Sequence, residues 1–549
     1  MAEPKVDVVI IGVGCTGGIL ARELAEAGLK VVGLERGPDI ATNMVFQDEY
    51  RFSRRQDLLW SHADKPGSTW RQTPDSQPRV FNNGRGWGVG GEMLHWGCQT
   101  WRYYSHQFKM LSTYGQTEGM DLMDWPVTYE DLEPYYQKFE ERLGISGDHT
   151  QMPHYPPRTK PYPMPPQPFT SNQKFMYDAL VAQGFRPFQN FSGTNSVDYD
   201  GRPACQWCGF CSNYECTIEA KADTRVTEIR KALMSPNFEL RADSKAFHIH
   251  TDNNGRGSGV HYWDKERKVH DQPADIIIMT GHAWHAAQQL LLGIGTRHPN
   301  GIGNNNGMVG KFLQSHGNFT VRGLFDQEWM SYMGPAGTGA GIDEWTGNYF
   351  DYEALGFIEG AIITAGNGPG QAIGYANTLP PGIPAWGKEY KDFIRNEGRK
   401  ILAISAQPAD FPQERNFIDL DPFVKDPDGL PVPRLTHDWH PQMAKLHAFL
   451  RPKMVEMLEN AGARMVWGAE NMTPPSATTH LTGGAVMGED PRRSVVNRYC
   501  QVHDALNVFV VGPAAFPYIG NWNGTEPAGA LAYWVADFIK KEAQSGSTL

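Results

Sequence analysis

Three stretches of this chain hold residues whose types and spacing point to chemistry. Gly12-Val13-Gly14-Cys15-Thr16-Gly17 is a G-x-G-x-x-G run, and Glu35 follows it about twenty residues on. In such a run Gly12 makes the turn, Gly14 lets main chain approach a pyrophosphate, Gly17 brings helix and strand together, and the acid takes ribose hydroxyls. The reading is a dinucleotide site, against a glycine turn without a ligand. Cys205, Cys208, Cys211 and Cys216 are spaced C-x2-C-x2-C-x4-C, so one loop could wrap a metal centre. This approximates C-x2-C-x2-C-x3-C-P, a run that holds iron–sulfur clusters, without its proline. Zinc, whose four-thiolate sites usually split into two distant pairs, and disulfides or free thiols are the other readings. The third stretch runs from Phe81 to Gly97, with five glycines between Gly84 and Gly91, Gly90 among them. Such a backbone suits close approach to a flat ligand, against an ordinary glycine loop.

The elements around these residues follow from composition. Val6 to Ile11 is β-branched and apolar, as in a strand buried on both faces, and Ile19 to Ala25 takes helical spacing. The glycines therefore fall at a strand-to-helix turn, where phosphates sit on the helix N-terminus. Lys30 to Leu34 is a second strand, and Pro38 to Pro78 reads as loops and short helices. Thr128 opens a capped helix that Gly144 closes, proline-dense Pro153 to Pro168 is an extended connector, and Ser171 to Gln183 is a helix. Phe238 to Arg241, Ala246 to His250 and Gly259 to Tyr262 read as a three-stranded meander. Ala274 to Met279 is a buried strand, and a helix over Gly281 to Leu292 follows it.

Further on, short strands such as Gly360 to Thr364 and Ile401 to Ser405 precede a helix from Pro441 to Ala461, which suggests an α+β substrate domain. Leu506 to Gly512 is a strand and Gly529 to Lys540 a terminal helix. The expected division is residues 1–105, 200–320 and 472–549 for the dinucleotide domain, with 106–199 and 321–471 for the substrate domain.

A chain of 549 residues has ample core for such a body. Fifty basic against 61 acidic side chains leave a net charge of −11, which argues against a nucleic-acid or anionic-membrane footprint. No stretch approaches the roughly 18 to 20 apolar residues of a membrane span. Met1 to Lys5 leads directly into a strand, so the expectation is no signal of its own, with export or membrane attachment supplied by a partner. Of the seven cysteines, Cys15, Cys98 and Cys500 are expected as small buried residues.

Together, the N-terminal fingerprint, Gly88-Val89-Gly90-Gly91, Leu290-Leu291-Leu292-Gly293-Ile294-Gly295 and Asn507 to Pro517 resemble the glucose-methanol-choline (GMC) flavoprotein oxidoreductases. The four-cysteine run and His480-Leu481-Thr482-Gly483-Gly484-Ala485-Val486-Met487-Gly488 are similar to the flavoprotein large subunit of gluconate 2-dehydrogenase and its sugar-dehydrogenase relatives. The resemblance covers nearly the whole chain and is weakest from about Ser331 to Tyr390. It implies FAD, bound by an α/β Rossmann-like domain of GMC type assembled from separate segments, beside an α+β substrate domain built on an antiparallel sheet.

Oxidising an alcohol with a flavin needs a base for the hydroxyl proton. The resemblance assigns that role to His480, and assigns Asn523 to the substrate oxygen. Thr525 follows as a cofactor residue, with Gly90 and Gly91. Val89 to Trp96 is similar to the loop of pyranose 2-oxidase whose histidine bonds covalently to flavin; His95 holds that place, either as the linkage or as a packing histidine under the ring.

The implied activity is oxidation of a secondary hydroxyl of a sugar or sugar acid to a ketone. Electrons would pass through the cysteines to a cytochrome c type or quinone acceptor, with a small signal-bearing subunit beside it. The alternatives are a pyranose-oxidase-like enzyme producing hydrogen peroxide and a non-catalytic flavin electron-relay subunit. The compartment would be periplasmic or membrane-associated through a partner, or else cytoplasmic. A sugar acid calls for a cation, and Arg395, Arg399, Lys400 and Arg415 are the candidates.

Overall fold

Val6–Ile11 is a strand near the middle of an eight-stranded sheet, with Val8, Val9 and Ile10 wholly buried. It is flanked in parallel by Val31–Leu34 on one side and by the end of Val269–Met279 on the other. Ala505–Val510 adds in parallel beyond Val269–Met279. The structure, a computed structural model, describes residues 3–40, 47–51, 66–81, 87–335, 337–368, 370–472 and 480–546. Gly84 and Gly86 lie outside these residues.

The meander differs from the expectation. Phe238–Arg241 does not join it but pairs in parallel with Val31–Leu34, as the outer strand of the nucleotide sheet. The third meander strand is Val269–Met279, of 11 residues, which pairs with Gly257–Trp263 through its first half and with Val6–Ile11 through its second. Only its end, Ile276 to Met279, is continuously apolar, so the apolar run found only half of the strand. Ser68–Arg71, expected as loop, is a strand paired in parallel with Pro431–Thr436, and Thr69 donates to Asp421 at 2.7 Å. Its partner lies far along the chain, where no local pattern reports it.

The second body is a six-stranded sheet from Phe188–Gln189, Phe319–Leu324, Ala340–Ile342, Ala361–Asn367, Ile401–Pro408 and Met465–Gly468, antiparallel throughout. Helix Gln442–Asn460 lays Leu446, Leu450 and Met454 into the same core as Val321, Leu402 and Ile404. The small four-stranded sheet joins Ser68–Arg71 and Arg79–Phe81 to Phe417–Lys425 and Pro431–Thr436, segments from both sides of the expected domain division. Among the described residues no helix is long and apolar enough to cross a membrane.

The C-terminal helix Thr525–Ser545 begins four residues before the expected start at Gly529, bringing its N-terminus up to the central cavity. It is backed by helix Tyr129–Leu143, where Phe139 packs on Gly529 so closely that a Cβ there would lie 2.2 Å from the ring. Beside it the buried Arg102 guanidinium pairs with Glu140 at 2.8 Å and Glu133 at 3.0 Å, anchoring the chain just after the glycine loop. Breaking one partner of such a buried pair costs about 3–5 kcal/mol.

Gly529→Ala is expected to force the two helices apart and to destabilise the fold by about 1–3 kcal/mol. Urea unfolding measures it, and an unchanged midpoint would show that the helix pair has room to spare.

Candidate active site

A cavity of about 540 Å³ opens at the ends of the central strands. Gly12, Gly14, Glu35, Gly91, His95, His480, Asn523 and Thr525, eight of the residues expected from sequence, line it together. Gly17 and Gly90 act from behind. A Cβ on Gly17 would lie 2.1 Å from the Gly12 carbonyl, and Gly90 donates its N–H to Val13 O at 2.8 Å. Gly91, with φ of +61°, leaves room for Gly14, whose Cα would meet an added Cβ at 3.0 Å. Both glycine loops thus lie main chain against main chain.

Glu35 lines the cavity, and its carboxylate also accepts from Val13 N at 3.0 Å and Gly37 N at 2.9 Å. Burial raises its pKa, against the pull of these N–H groups. Helices Cys15–Glu26 and Thr525–Ser545 both start at the wall, so two positive dipole ends face inward. Volume, bare glycine main chain and helix N-termini suit an anionic dinucleotide such as FAD.

A two-residue antiparallel pairing sets the histidine end of the cavity. Ser315 pairs with Leu481 and Gln314 with Thr482, which brings the next residues, His316 and His480, side by side. Their Nδ1 atoms are 2.9 Å apart. His316 Nε2 is 2.8 Å from the Gly520 carbonyl, which can only accept, so that nitrogen carries the proton. In neutral His316, Nδ1 is then the acceptor, and the bridging proton belongs to His480 Nδ1. His480 Nε2 therefore carries the lone pair a base requires. Burial and the neighbouring ring push His316 down to about 3, and desolvation pushes His480 down to about 4, so both are neutral at ordinary pH.

Behind them Asp410, paired with buried His437 at 2.6 Å, accepts from Ser315 N at 3.2 Å. His316 stands in no motif; its only signal is the strand register.

Asn523 is oriented by main chain. Gln407 Nε2 bonds to Asn521 O at 3.0 Å and to Asn523 Oδ1 at 3.1 Å, while Asn523 Nδ2 reaches Gln99 O at 3.4 Å. The carbonyls settle which end of each amide is nitrogen, leaving Asn523 a second N–H to offer a substrate oxygen.

The cysteine loop docks onto the segment that carries His95. Asn213 N donates to His95 O at 3.0 Å. Buried Lys221 donates to Leu94 O at 3.1 Å, Trp96 O at 3.3 Å and Cys211 O at 3.3 Å, stitching the two segments together. Cys205, Cys208, Cys211 and Cys216 are all free thiols, so the disulfide reading is not borne out in this structure. A tetrahedral zinc would need sulfurs about 3.8 Å apart, from Zn–S bonds of about 2.3 Å. Among the described residues no three of these thiols come within 4.8 Å of one another. Cys98 is buried, as expected, but its thiol also meets Cys211. Cys15 is not mere filling, since it lines the cavity.

None of the four expected carboxylate-binding cations lines the cavity. Arg399 pairs with Glu328 at 2.8 Å, Lys400 with Glu397 at 3.5 Å, Arg415 bonds to Gln413 at 3.0 Å, and Arg395 borders a separate outer depression.

A family model described as GMC oxidoreductase matches residues 412–532. Over 98% of its length the chain is 31% identical to the gluconate 2-dehydrogenase flavoprotein of Pantoea cypripedii, of which it covers 94%. The chain belongs to the GMC oxidoreductase family. It is an FAD-dependent oxidoreductase acting on CH–OH groups. Within the GMC family it is also 26% identical to the fructose dehydrogenase large subunit of Gluconobacter japonicus, covering 98% of both chains. Formate oxidase shares the fold at a TM-score of 0.66, with 15% identity over 99% of this chain and 100% of that one. Pyridoxine 4-oxidase from Mesorbium loti does so at 0.61, with 15% identity over 97% and 99%.

His480→Ala is expected to lower kcat by about 10²–10⁴-fold. His316→Ala is expected to lower kcat while KM stays within a few-fold, with partial rescue in His316→Gln. Because the base works only unprotonated, kcat/KM should stay level from pH 8 downward and fall only as pH drops through about 4. A limb at the ordinary histidine value, about 6.5, would refute the buried pair.

Proposed function

We propose that this protein oxidises a secondary hydroxyl of a sugar or sugar acid to a ketone and hands the electrons to an acceptor other than oxygen. The observation that carries the reading is the His316–His480 contact, which presents His480 Nε2 as a neutral base in the cavity that Asn523 also lines. His480 takes the hydroxyl proton, and Asn523 Nδ2 holds the oxygen as charge develops on it. FAD held at this site would supply the acceptor for the hydride of the carbinol carbon, so that proton and hydride together account for the two electrons removed. Gly12, Gly14, Glu35, Gly91 and Thr525 would hold the cofactor, and His95, which lines the same wall, would be the residue for a covalent bond to it.

The non-oxygen acceptor rests on the cysteine loop, bonded through Asn213 and Lys221 to the His95 segment. An iron–sulfur cluster on Cys205, Cys208, Cys211 and Cys216 would give electrons an exit toward a cytochrome c type subunit. Two relatives carry names that read "flavoprotein" and "large subunit", which supports partner subunits. A small signal-bearing one among them, and a periplasmic or membrane-associated site of action, are part of the same proposal.

Anaerobic addition of sugars and sugar acids to the flavin-loaded protein is expected to bleach the flavin, with iron present and slow reoxidation in air. Fast reoxidation without iron would favour a peroxide-forming oxidase instead, and no bleaching with any substrate would leave an electron-relay subunit. Acid precipitation should carry the yellow colour with the protein if His95 is linked, and His95→Ala should release it.

A further inference from the structure

Away from the cavity, the meander gathers imidazoles on one face. His248 and His250 stand two apart on Lys245–Thr251, and the register pairs His248 with His261 and His261 with Asp271 across three strands. Opposite His250 is Gly259, where an added Cβ would lie 2.6 Å from both Cε1 and Nε2 of the imidazole. That bare position lets the ring cross the middle strand. His250 Nε2 thereby comes 2.7 Å from Asp271 Oδ1, and His261 Nε2 lies 3.8 Å from the same oxygen.

The outer nitrogen is also held. Ser258 Oγ is 3.3 Å from its acceptor, the His250 carbonyl, so the hydroxyl oxygen takes the proton of His250 Nδ1 at 2.9 Å. Such a bond on the far side of an imidazole fixes the tautomer and aims the other nitrogen's lone pair. Here Nε2 faces a carboxylate oxygen at 2.7 Å, a pair that shares a proton in the absence of metal and that opens slightly when a metal ion takes the proton's place. His248 has its Nδ1 turned to Leu292 O at 3.1 Å and stacks on His261, a supporting position.

We propose that His250, His261 and Asp271 form a binding site for a divalent transition metal of the zinc class, with solvent completing the coordination. Their ligand atoms lie within 4.8 Å of one another, the only such set among the described residues. Side-chain exposures of 26%, 37% and 33% leave room for water ligands. Two imidazoles and one carboxylate select zinc, cobalt, nickel or copper over calcium and magnesium. Bound metal would clamp three strands, the last of which runs on to Met279 in the cavity wall.

The test is calorimetric titration of chelator-treated, flavin-loaded protein with Zn²⁺, beside Ca²⁺ as control. One zinc per chain is expected at this site, with no calcium binding and a higher thermal midpoint. His261→Ala and Gly259→Ala should each weaken it by about 10–100-fold, the second by displacing His250 while His261 and Asp271 remain. Zinc taken by the cysteine loop would survive both changes and would be lost in Cys208→Ser. Absence of zinc binding in the parent protein, or binding indifferent to both His261→Ala and Gly259→Ala, would overturn the site.

Discussion

The chemistry proposed for this protein depends on one contact, the Nδ1-to-Nδ1 hydrogen bond between His316 and His480. Either of two neutral imidazoles could donate in such a bond, and the direction is set because His316 Nε2 is committed to the carbonyl of Gly520. The consequence passes across the ring to His480 Nε2, which is left as the basic atom. A carboxylate in the place of His316 would stabilise protonated His480. A neutral, buried partner keeps the base ready without raising its pKa.

That contact in turn depends on backbone. Two paired residues, Gln314 and Ser315 against Thr482 and Leu481, set the two histidines side by side, and Asp410 holds the Ser315 N–H. On the far side of the cavity the constraint is close approach, with Gly14 against Gly91 and Gly17 against the Gly12 carbonyl. A methyl group at Gly17 would have no room, so the glycine end of the cavity is built from bare main chain and the histidine end from side chains locked by main-chain carbonyls. Lys221 joins the His95 segment to the cysteine loop by the same device, a buried ammonium shared among carbonyls.

Much of the nucleotide end was legible because its signals are local. Gly12, Gly14 and Gly17 follow a strand and open a helix within a few residues, a pattern that reports its own geometry. The helices at 129–143, 171–182 and 442–460 were legible from capping and spacing for the same reason. Phe238–Arg241 and Ser68–Arg71 were misplaced because their partners, Val31–Leu34 and Pro431–Thr436, lie at long separation, and strand pairing has no period in sequence. His480 and Asn523 were reached through family resemblance, since a single histidine among 18 carries no local mark.

The sequence by itself determined the strand–glycine–helix cofactor fingerprint, the antiparallel second body and the identity of the residues able to act. The tertiary structure alone decided which nitrogen of His480 keeps its lone pair for the proposed role of base. That choice rests on a partner 164 residues away, itself tied to a carbonyl 204 residues from it. A tautomer is set by the group on the far side of the ring, and only folding brings that group there.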